Sequence, residues 1–375
     1  MRALRRSLLL HRSSAAAWVT AVAAMFSIAL GLGHRAEAGR PISRTLVFLD
    51  GVATPVQFND GDSFRALDGP YRGMGTRLEG FNTLESHGPV HRFGTWTSNE
   101  LFVLAKMATT NAQNGIWHCH SSLVDDRDRS AREGLAANTS TATPLGSGPT
   151  VEDDSESEVA SGAEGDLETD TYGRVLWLCE DLAVDQIRKG LAHAMSINEK
   201  PAHAKFLAAQ QEAIALRRGM WAHGVPAYLV TSLHSSEEDW PSRTYNRLVS
   251  TADGHSAGWK HEESYDECAE VCSRERAVDP EVLMSVRRAI ADDSLIASTA
   301  ASLGEELLLR VIRDFAALGF ATDLRDRPEV SSALDSWLRE HAEPRFAAAP
   351  YVTGSCAVYV RFDRRYVDNQ PRCLR

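Results

Sequence analysis

Short apolar runs bounded by glycine, proline and acidic residues predict that the first half of the chain is rich in β-strands. The turn signal Asp68-Gly69-Pro70 separates two of these runs, as tight turns do in sheets of short strands. The predicted strands are 46–49, 56–58, 64–67, 76–81, 116–119 and 175–179. Short strands with turns between them are typical of small barrels.

Helical spacing of apolar residues predicts three helices in the same half of the chain. Thr97 and Glu100 have the spacing of a capping box, and apolar residues from Leu101 onward share one helix face. Two further helices are predicted at 183–192 and 204–220. The strands and helices together predict an α+β fold, a five-stranded Greek-key barrel of the oligonucleotide-binding (OB) type with three helices.

The segment 121–169 interrupts this pattern. It holds twelve acidic residues and three arginines but almost no large apolar residues. Such a segment cannot bury enough surface to offset its ordering entropy, so we predict a disordered insertion within a domain at 39–235. The whole chain has a formal charge of −11. Because much of that charge belongs to the insertion, a locally basic site elsewhere is not excluded.

Beyond residue 236 the pattern becomes mainly helical. Asp279-Pro280-Glu281 offers a cap, a proline in the first turn and an acid at the positive end of the helix dipole. Helical spacing continues to Leu318, and a second helix is predicted at 328–340. The tail at 356–362 alternates like a strand. We predict a mainly α C-terminal region at 236–375 with a terminal strand, and its partner is unknown.

The N-terminus has the features of a signal peptide. Basic residues up to Arg12 precede an apolar stretch at 15–32, and Ala36-Glu37-Ala38 supplies the small residues that signal peptidase favours. We predict a signal peptide at 1–38, cut after Ala38, with a membrane anchor as the alternative. Arg5-Arg6 also resembles a twin-arginine export signal. The protein is therefore expected to be secreted or periplasmic, without an integral membrane segment after cleavage.

Six cysteines in an exported chain predict disulfide bonds. Cys119 and Cys179 lie on predicted strands at comparable distances from the two ends of the insertion, so we predict that they pair. The other four cysteines allow three pairings, and a four-cysteine zinc site is the alternative. These four are Cys268, Cys272, Cys356 and Cys373.

Three polar clusters carry the candidate chemistry: Asn59-Asp60-Gly61-Asp62-Ser63, residues 77–85 and residues 170–174. Taken singly, each has an ordinary structural explanation, such as a turn or a helix cap. Together they supply oxygen donors without cysteine or histidine, which suit Ca²⁺ better than Zn²⁺. They also supply arginines whose paired donors match a phosphate. Hydrolysis of a phosphodiester requires this combination of a water-orienting base and cations.

The same clusters resemble, in order, motifs of the staphylococcal (micrococcal, or thermo-) nuclease family over residues 44–224. Residues 60–63 are similar to the family's Asp-Gly-Asp-Thr, and 170–174 to its Asp-x-Tyr-Gly-Arg. Residues 77–85 are similar to its Arg, four apolar residues and Asp-Thr-Pro-Glu. Two shorter motifs also match: Gly190-Leu191-Ala192 and Gly219-Met220-Trp221. The resemblance implies the OB-type barrel.

The resemblance also implies a role for each matched position. The implied metal ligands are Asp62, Asn82 and the Thr83 carbonyl. The implied catalytic residues are Glu85, which acts on the attacking water, and Arg77 and Arg174, which bind the scissile phosphate. Two positions depart from the family pattern, since Asn82 stands where the family has Asp and Leu84 where it has Pro. The first departure removes one negative charge from the implied metal site.

The implied function is an exported, Ca²⁺-dependent endonuclease that hydrolyses the phosphodiester bonds of DNA and also RNA, acting as a monomer. Retention of Glu85 and both arginines favours catalysis, because binding alone would not need all three. The alternative is a catalytically weak or inactive nuclease-fold module that binds nucleic acid or another ligand. Asn82 and the acidic insertion favour that alternative.

Overall fold

The computed structural model describes residues 45–86, 91–121, 167–170, 172–238, 245–324, 326–365 and 371–374. The predicted signal peptide and most of the predicted insertion lie outside these ranges, so both stay predictions. No helix within the described ranges is both long enough and apolar enough to cross a membrane.

Six strands form the largest sheet, which is nearly closed into a barrel. In spatial order they are β3 (Phe64–Ala66), β2 (Val52–Phe58), β1 (Thr45–Leu49), β7 (Trp117–Ser121), β8 (Val175–Leu178) and β4 (Thr76–Leu78). Strand β1 pairs antiparallel with β2 and parallel with β7, and β4 pairs parallel with β8. A bridge between Arg65 and Gly75 brings the edge strands β3 and β4 together.

The predicted α+β class is confirmed, whereas the count of five barrel strands is wrong. Each of the six predicted strand ranges contributes one strand to this sheet, and the two that flank the acidic segment, β7 and β8, pair with each other. Large buried side chains from the strands, among them Phe64 and Trp177, meet Phe206 from a covering helix in one core. The barrel therefore has a filled interior rather than a ligand cavity.

Three helices pack against this barrel: α1 (Ser98–Gln113), α2 (Glu180–Arg188) and α3 (Ala204–Ala215). The capping box is confirmed, since the Glu100 amide donates to the Thr97 hydroxyl and the Thr97 amide to the Glu100 carboxylate. Helix α2 ends earlier than predicted, because Gly190 has a positive φ of 69°. A Cβ there would lie 2.2 Å from the Arg218 carbonyl oxygen, so only glycine allows this turn.

Two three-stranded sheets, one two-stranded sheet and five α-helices complete the described part of the chain. One sheet contains β10 (Tyr228–Ser232), β11 (Tyr245–Ser250) and β12 (Ser256–Lys260). The other contains β13 (Glu270–Glu275), β14 (Val352–Val358) and β6 (His91–Arg92), while β5 (Phe81–Thr83) pairs with β9 (Ala192–Ala194). The helices are α4 (Pro280–Asp292), α5 (Ala297–Ala301), α6 (Glu305–Leu318), α7 (Pro328–His341) and α8 (Glu343–Phe346).

The helices and the terminal strand of this region are confirmed, but the prediction missed β11, β12 and β13. Asp279 caps α4 as predicted, since its carboxylate accepts from the Glu281 amide at 2.8 Å. Strand β13 escaped prediction because it buries polar side chains instead of alternating apolar ones. Its Ser273 hydroxyl donates to the Ser355 carbonyl, and its Glu275 carboxylate accepts two backbone N–H groups. Hydrogen bonds of this kind offset the cost of burying polar groups.

All six cysteines are paired. Cys119 bonds to Cys179, as predicted from their positions beside the acidic segment. The other pairs are Cys268–Cys373 and Cys272–Cys356, one of the three possible pairings. The four-cysteine zinc site is therefore excluded. In the described part of the chain, one group of three potential metal-binding side chains lies within 4.8 Å, Glu270 with Cys272 and Cys356. Its sulfurs are in a disulfide, which leaves no thiolate for a metal.

The C-terminal region joins the first half through strand β6. Cys356 and Ala357 of β14 pair with Arg92 and His91, and the Arg92 guanidinium makes two hydrogen bonds, at 2.7 and 2.6 Å, with the Glu270 carboxylate. The described residues from 45 onward accordingly form one compact unit. This junction lies a few residues after Glu85, so it brings the C-terminal region to the candidate site.

Candidate active site

The first cluster is a tight turn between β2 and β3. The Asp60 carboxylate accepts from the Asp62 amide at 3.2 Å and from the Ser63 hydroxyl at 2.7 Å, an Asx turn. A Cβ on Gly61 would lie 2.6 Å from the Thr83 side chain and 2.8 Å from that of Ala108 on α1. Glycine is therefore required for the turn to pack against β5, which directs the buried Asp62 side chain toward the second cluster.

Asp62 holds the second cluster together. One carboxylate oxygen accepts from the Thr83 amide at 2.7 Å and from the Thr83 hydroxyl at 3.1 Å. The other oxygen pairs with the Arg77 guanidinium, which also donates to the Asn82 side-chain oxygen. The three predicted metal ligands therefore lie together, and Arg77 bridges two of them.

Two buried histidines border this cluster, and neither is among the predicted site residues. The His193 ring lies 3.4 Å from the Asn82 amide nitrogen and 3.1 Å from the Ala194 carbonyl. Burial lowers the pKa of His193 to about 4, so its ring is neutral and Nε2 accepts from Asn82. Burial also lowers the pKa of His91 to about 4, and its Nε2 has no hydrogen-bond partner among the described residues. His193 directly follows the Gly-Leu-Ala motif, which was the one available signal for it.

The third cluster fixes Arg174 beside the first two. The Asp170 carboxylate accepts from the Tyr172 and Arg174 amides at 2.9 Å and from Arg174 Nε at 2.7 Å. The Val175 amide donates to the Gly75 carbonyl, and the Arg174 side chain lies 3.8 Å from the Cβ position of Gly75. The parallel pairing of β8 with β4 therefore places Arg174 next to the strand that carries Arg77.

Glu85 follows β5 and approaches the same place. The Ser86 hydroxyl lies 3.5 Å from the Asn59 carbonyl, which ties this segment to the first turn. The Glu85 carboxylate is about a third exposed and lies 3.8 Å from the Arg365 guanidinium of the C-terminal region. Glu85 is thus accessible to solvent water, as a residue acting on an attacking water must be.

The charges of these residues influence one another, which places them at one site. Burial raises the pKa of Asp60 well above its ordinary value, and the negative charges of Asp62 and Glu85 raise it further. Burial opposes the charge on Arg174, but Asp170, Asp62 and Asp60 outweigh it and raise the pKa of the guanidinium. The structure therefore brings all six predicted site residues to one region.

The donor set suits a calcium ion. Asp62, the Asn82 side chain and the Thr83 carbonyl are hard oxygen donors, and the Asp60 carboxyl next to them is held by the Asp62 amide. Burial is the main cause of the raised pKa of Asp60, and the nearby charges of Asp62 and Glu85 add to it, so a divalent cation here would favour the charged carboxylate. Ca²⁺ would compete with Arg77, which occupies the Asp62 and Asn82 oxygens in this arrangement.

Searches against protein-family models, curated proteins and solved structures find no match to this chain. The functional assignment therefore depends on the arrangement of these side chains.

Proposed function

We propose that this protein is an exported, Ca²⁺-dependent nuclease that hydrolyses DNA and RNA on an OB-type Greek-key barrel. The observation that carries the proposal is the convergence of a carboxylate, two arginines and a set of oxygen donors from three separate segments of the chain. Three disulfides are consistent with export, since such bonds persist in oxidising compartments. The substrate class follows from the pairing of planar arginine donors with a metal-binding carboxylate.

The roles proposed for the side chains follow from their positions. Glu85, exposed beside the cluster, would orient the attacking water and accept its proton. Arg77 and Arg174 have donors that match the phosphate oxygens and would stabilise the charge that develops on them. Asp170 would keep Arg174 in position through the hydrogen bonds described above. Bound Ca²⁺ would supply further positive charge next to the phosphate.

A digestion assay tests the proposal. The protein starting at residue 39 is expected to cut plasmid DNA and single-stranded RNA in Ca²⁺ and to stop when a chelator is added. A Glu85→Gln protein purified in parallel controls for a contaminating nuclease. Cutting that persists in chelator, or that is equal in the variant, would contradict the proposal.

The second candidate is a binding module, favoured by the bridge that Arg77 makes between Asp62 and Asn82. This bridge pairs the charge of the Asp62 carboxylate without a metal, which is the arrangement that a purely structural cluster requires. Binding of nucleic acid without Ca²⁺-dependent cutting in the same assay would support this candidate over the nuclease.

The Asn82→Asp variant is expected to lower the Ca²⁺ concentration for half-maximal activity several-fold. It adds one negative charge at a proposed ligand, and the affinity of calcium sites depends on ligand charge. The measurement is a Ca²⁺ titration of activity in parent and variant.

An Asn59→Asp variant is the matched control. Asn59 is exposed and is not a proposed ligand, so this substitution adds the same charge near the turn without changing the metal site. If the midpoint of the Ca²⁺ titration does not shift in Asn82→Asp, the role of Asn82 is only structural, through its hydrogen bond to the Thr83 carbonyl at 2.8 Å. Equal shifts in both variants would also remove Asn82 from the metal site.

A further inference from the structure

A third arginine reaches the candidate active site from the C-terminal region. Arg365 lies seven residues after the end of β14, beyond a short 3₁₀ turn at Phe362–Arg364. Its Nε donates to the Val360 carbonyl at 3.1 Å, which fixes the side chain, and its Nη1 lies 3.8 Å from the Glu85 carboxylate. That second distance is too long for a hydrogen bond, so the contact with Glu85 is electrostatic.

Strand pairing and two disulfide bonds hold the segment that contains Arg365 in this place. Strand β14 pairs with β13 and with β6, which follows Glu85 in the sequence. The Cys272–Cys356 disulfide joins β13 to β14, and Cys268–Cys373 ties down the chain after Arg365. Strand pairing and the two disulfides thus fix the segment that carries Arg365. About a fifth of the Arg365 side chain is exposed.

Other arginines besides Arg365 lie near the candidate site, together with Glu85. The Arg174 guanidinium lies 5.6 Å from the centre of the Tyr172 ring. Partial burial raises the pKa of Tyr172, and the positive charges of Arg247, Arg174 and Arg365 oppose that rise. Arg247 is on β11, so two arginines of the C-terminal region act electrostatically on the same tyrosine as the proposed catalytic Arg174. A strand of nucleic acid carries regularly spaced phosphates. When one phosphate is at the reaction site, a neighbouring phosphate would lie near these arginines.

We propose that Arg365 binds the phosphate next to the scissile phosphate, so that the C-terminal region completes the substrate site and favours polynucleotides over small phosphodiesters. This inference rests on the proposed function. It assigns the C-terminal region a part in binding an extended strand, with a planar guanidinium as the contact.

The test compares two substrates, an oligonucleotide with several phosphates and bis(p-nitrophenyl) phosphate with one. In Arg365→Ala, kcat/KM on the oligonucleotide should fall about tenfold or more, mainly through KM, because a charge-assisted contact is lost. On the small substrate, which has no neighbouring phosphate, the loss should be clearly smaller, because only the electrostatic contact with Glu85 is removed there. The slope of log KM against log salt on the oligonucleotide should fall by about 0.7, the value for one phosphate contact on a single strand.

Two further variants separate charge from structure. Arg364→Ala is the matched control, because this neighbouring arginine pairs with Glu267 at 3.1 Å and should behave as the parent. Arg365→Lys keeps the charge and should retain the salt slope while recovering part of the KM. If Arg365→Ala does not fold, the lysine variant and an Arg365→Gln variant give the same comparison.

Two results would overturn the inference: parental kinetics of Arg365→Ala on the oligonucleotide, or equal losses on both substrates. Binding of the oligonucleotide in chelator, followed by fluorescence anisotropy, gives a readout that needs no cutting. A parent that binds but never cuts would refute the proposed nuclease. In that case an unchanged affinity in Arg365→Ala would separately refute the phosphate contact.

Discussion

Replacing Glu85 with glutamine, or Arg174 with alanine, is expected to lower the turnover number on DNA by two or more orders of magnitude each. A positioned base typically contributes about 10²–10⁴ to a rate. Removing one preorganised donor to a developing charge costs about 10²–10³. Both side chains are about a third exposed, so the fold should be retained. The measurement is single-turnover cutting at saturating Ca²⁺, with circular dichroism to verify folding.

Matched surface variants control for nonspecific loss of charge. Arg188→Ala removes an exposed arginine of α2 that pairs with Glu212, and Glu329→Gln removes an exposed acid at the start of α7. Both should cut at the parental rate. Should the Glu85 and Arg174 variants stay within tenfold of the parent, the chemistry takes place elsewhere on the protein.

The parts of the fold that could be predicted are those specified by local sequence. Thr97 with Glu100, and Asp279 with Pro280, mark helix starts through contacts within one turn, so spacing alone identifies them. The pairing of Cys119 with Cys179 could be predicted because both flank one insertion. The three polar clusters could be found for the same reason, since each is a short continuous motif.

What could not be predicted depends on contacts between distant segments. Arg365 lies 280 positions after Glu85, and no local pattern around it indicates a functional arginine. His193 belongs to no polar cluster in the sequence, and it comes close to Asn82 only when β9 pairs with β5. Strand β13 escaped because its stability comes from pairing with β14 and from a disulfide rather than from its own hydrophobic alternation.

Removing the Cys119–Cys179 disulfide with a double alanine substitution is expected to lower the free energy of unfolding by about 4 kcal/mol. The bond closes a loop with a sequence separation of 60 residues, and about 4 kcal/mol is the entropy that such a closure removes from the unfolded chain. Both cysteines are buried in the barrel core, so loss of the two sulfur atoms adds a smaller packing cost to the entropic one. The measurement is urea unfolding of parent and variant, with the two C-terminal disulfides intact in both.

The entropic origin of this effect has its own control. Deleting residues 125–165 shortens the closed loop to about 20 residues, which reduces the expected contribution of the disulfide by about 1 kcal/mol. The double alanine substitution is therefore made in both the full-length and the shortened protein, and the two losses are compared. A loss below about 1 kcal/mol in the full-length protein would contradict the prediction, because the unfolded chain would then gain little freedom from the open loop. Equal losses in both proteins would instead assign the stabilisation to contacts around Cys119 and Cys179 in the folded barrel.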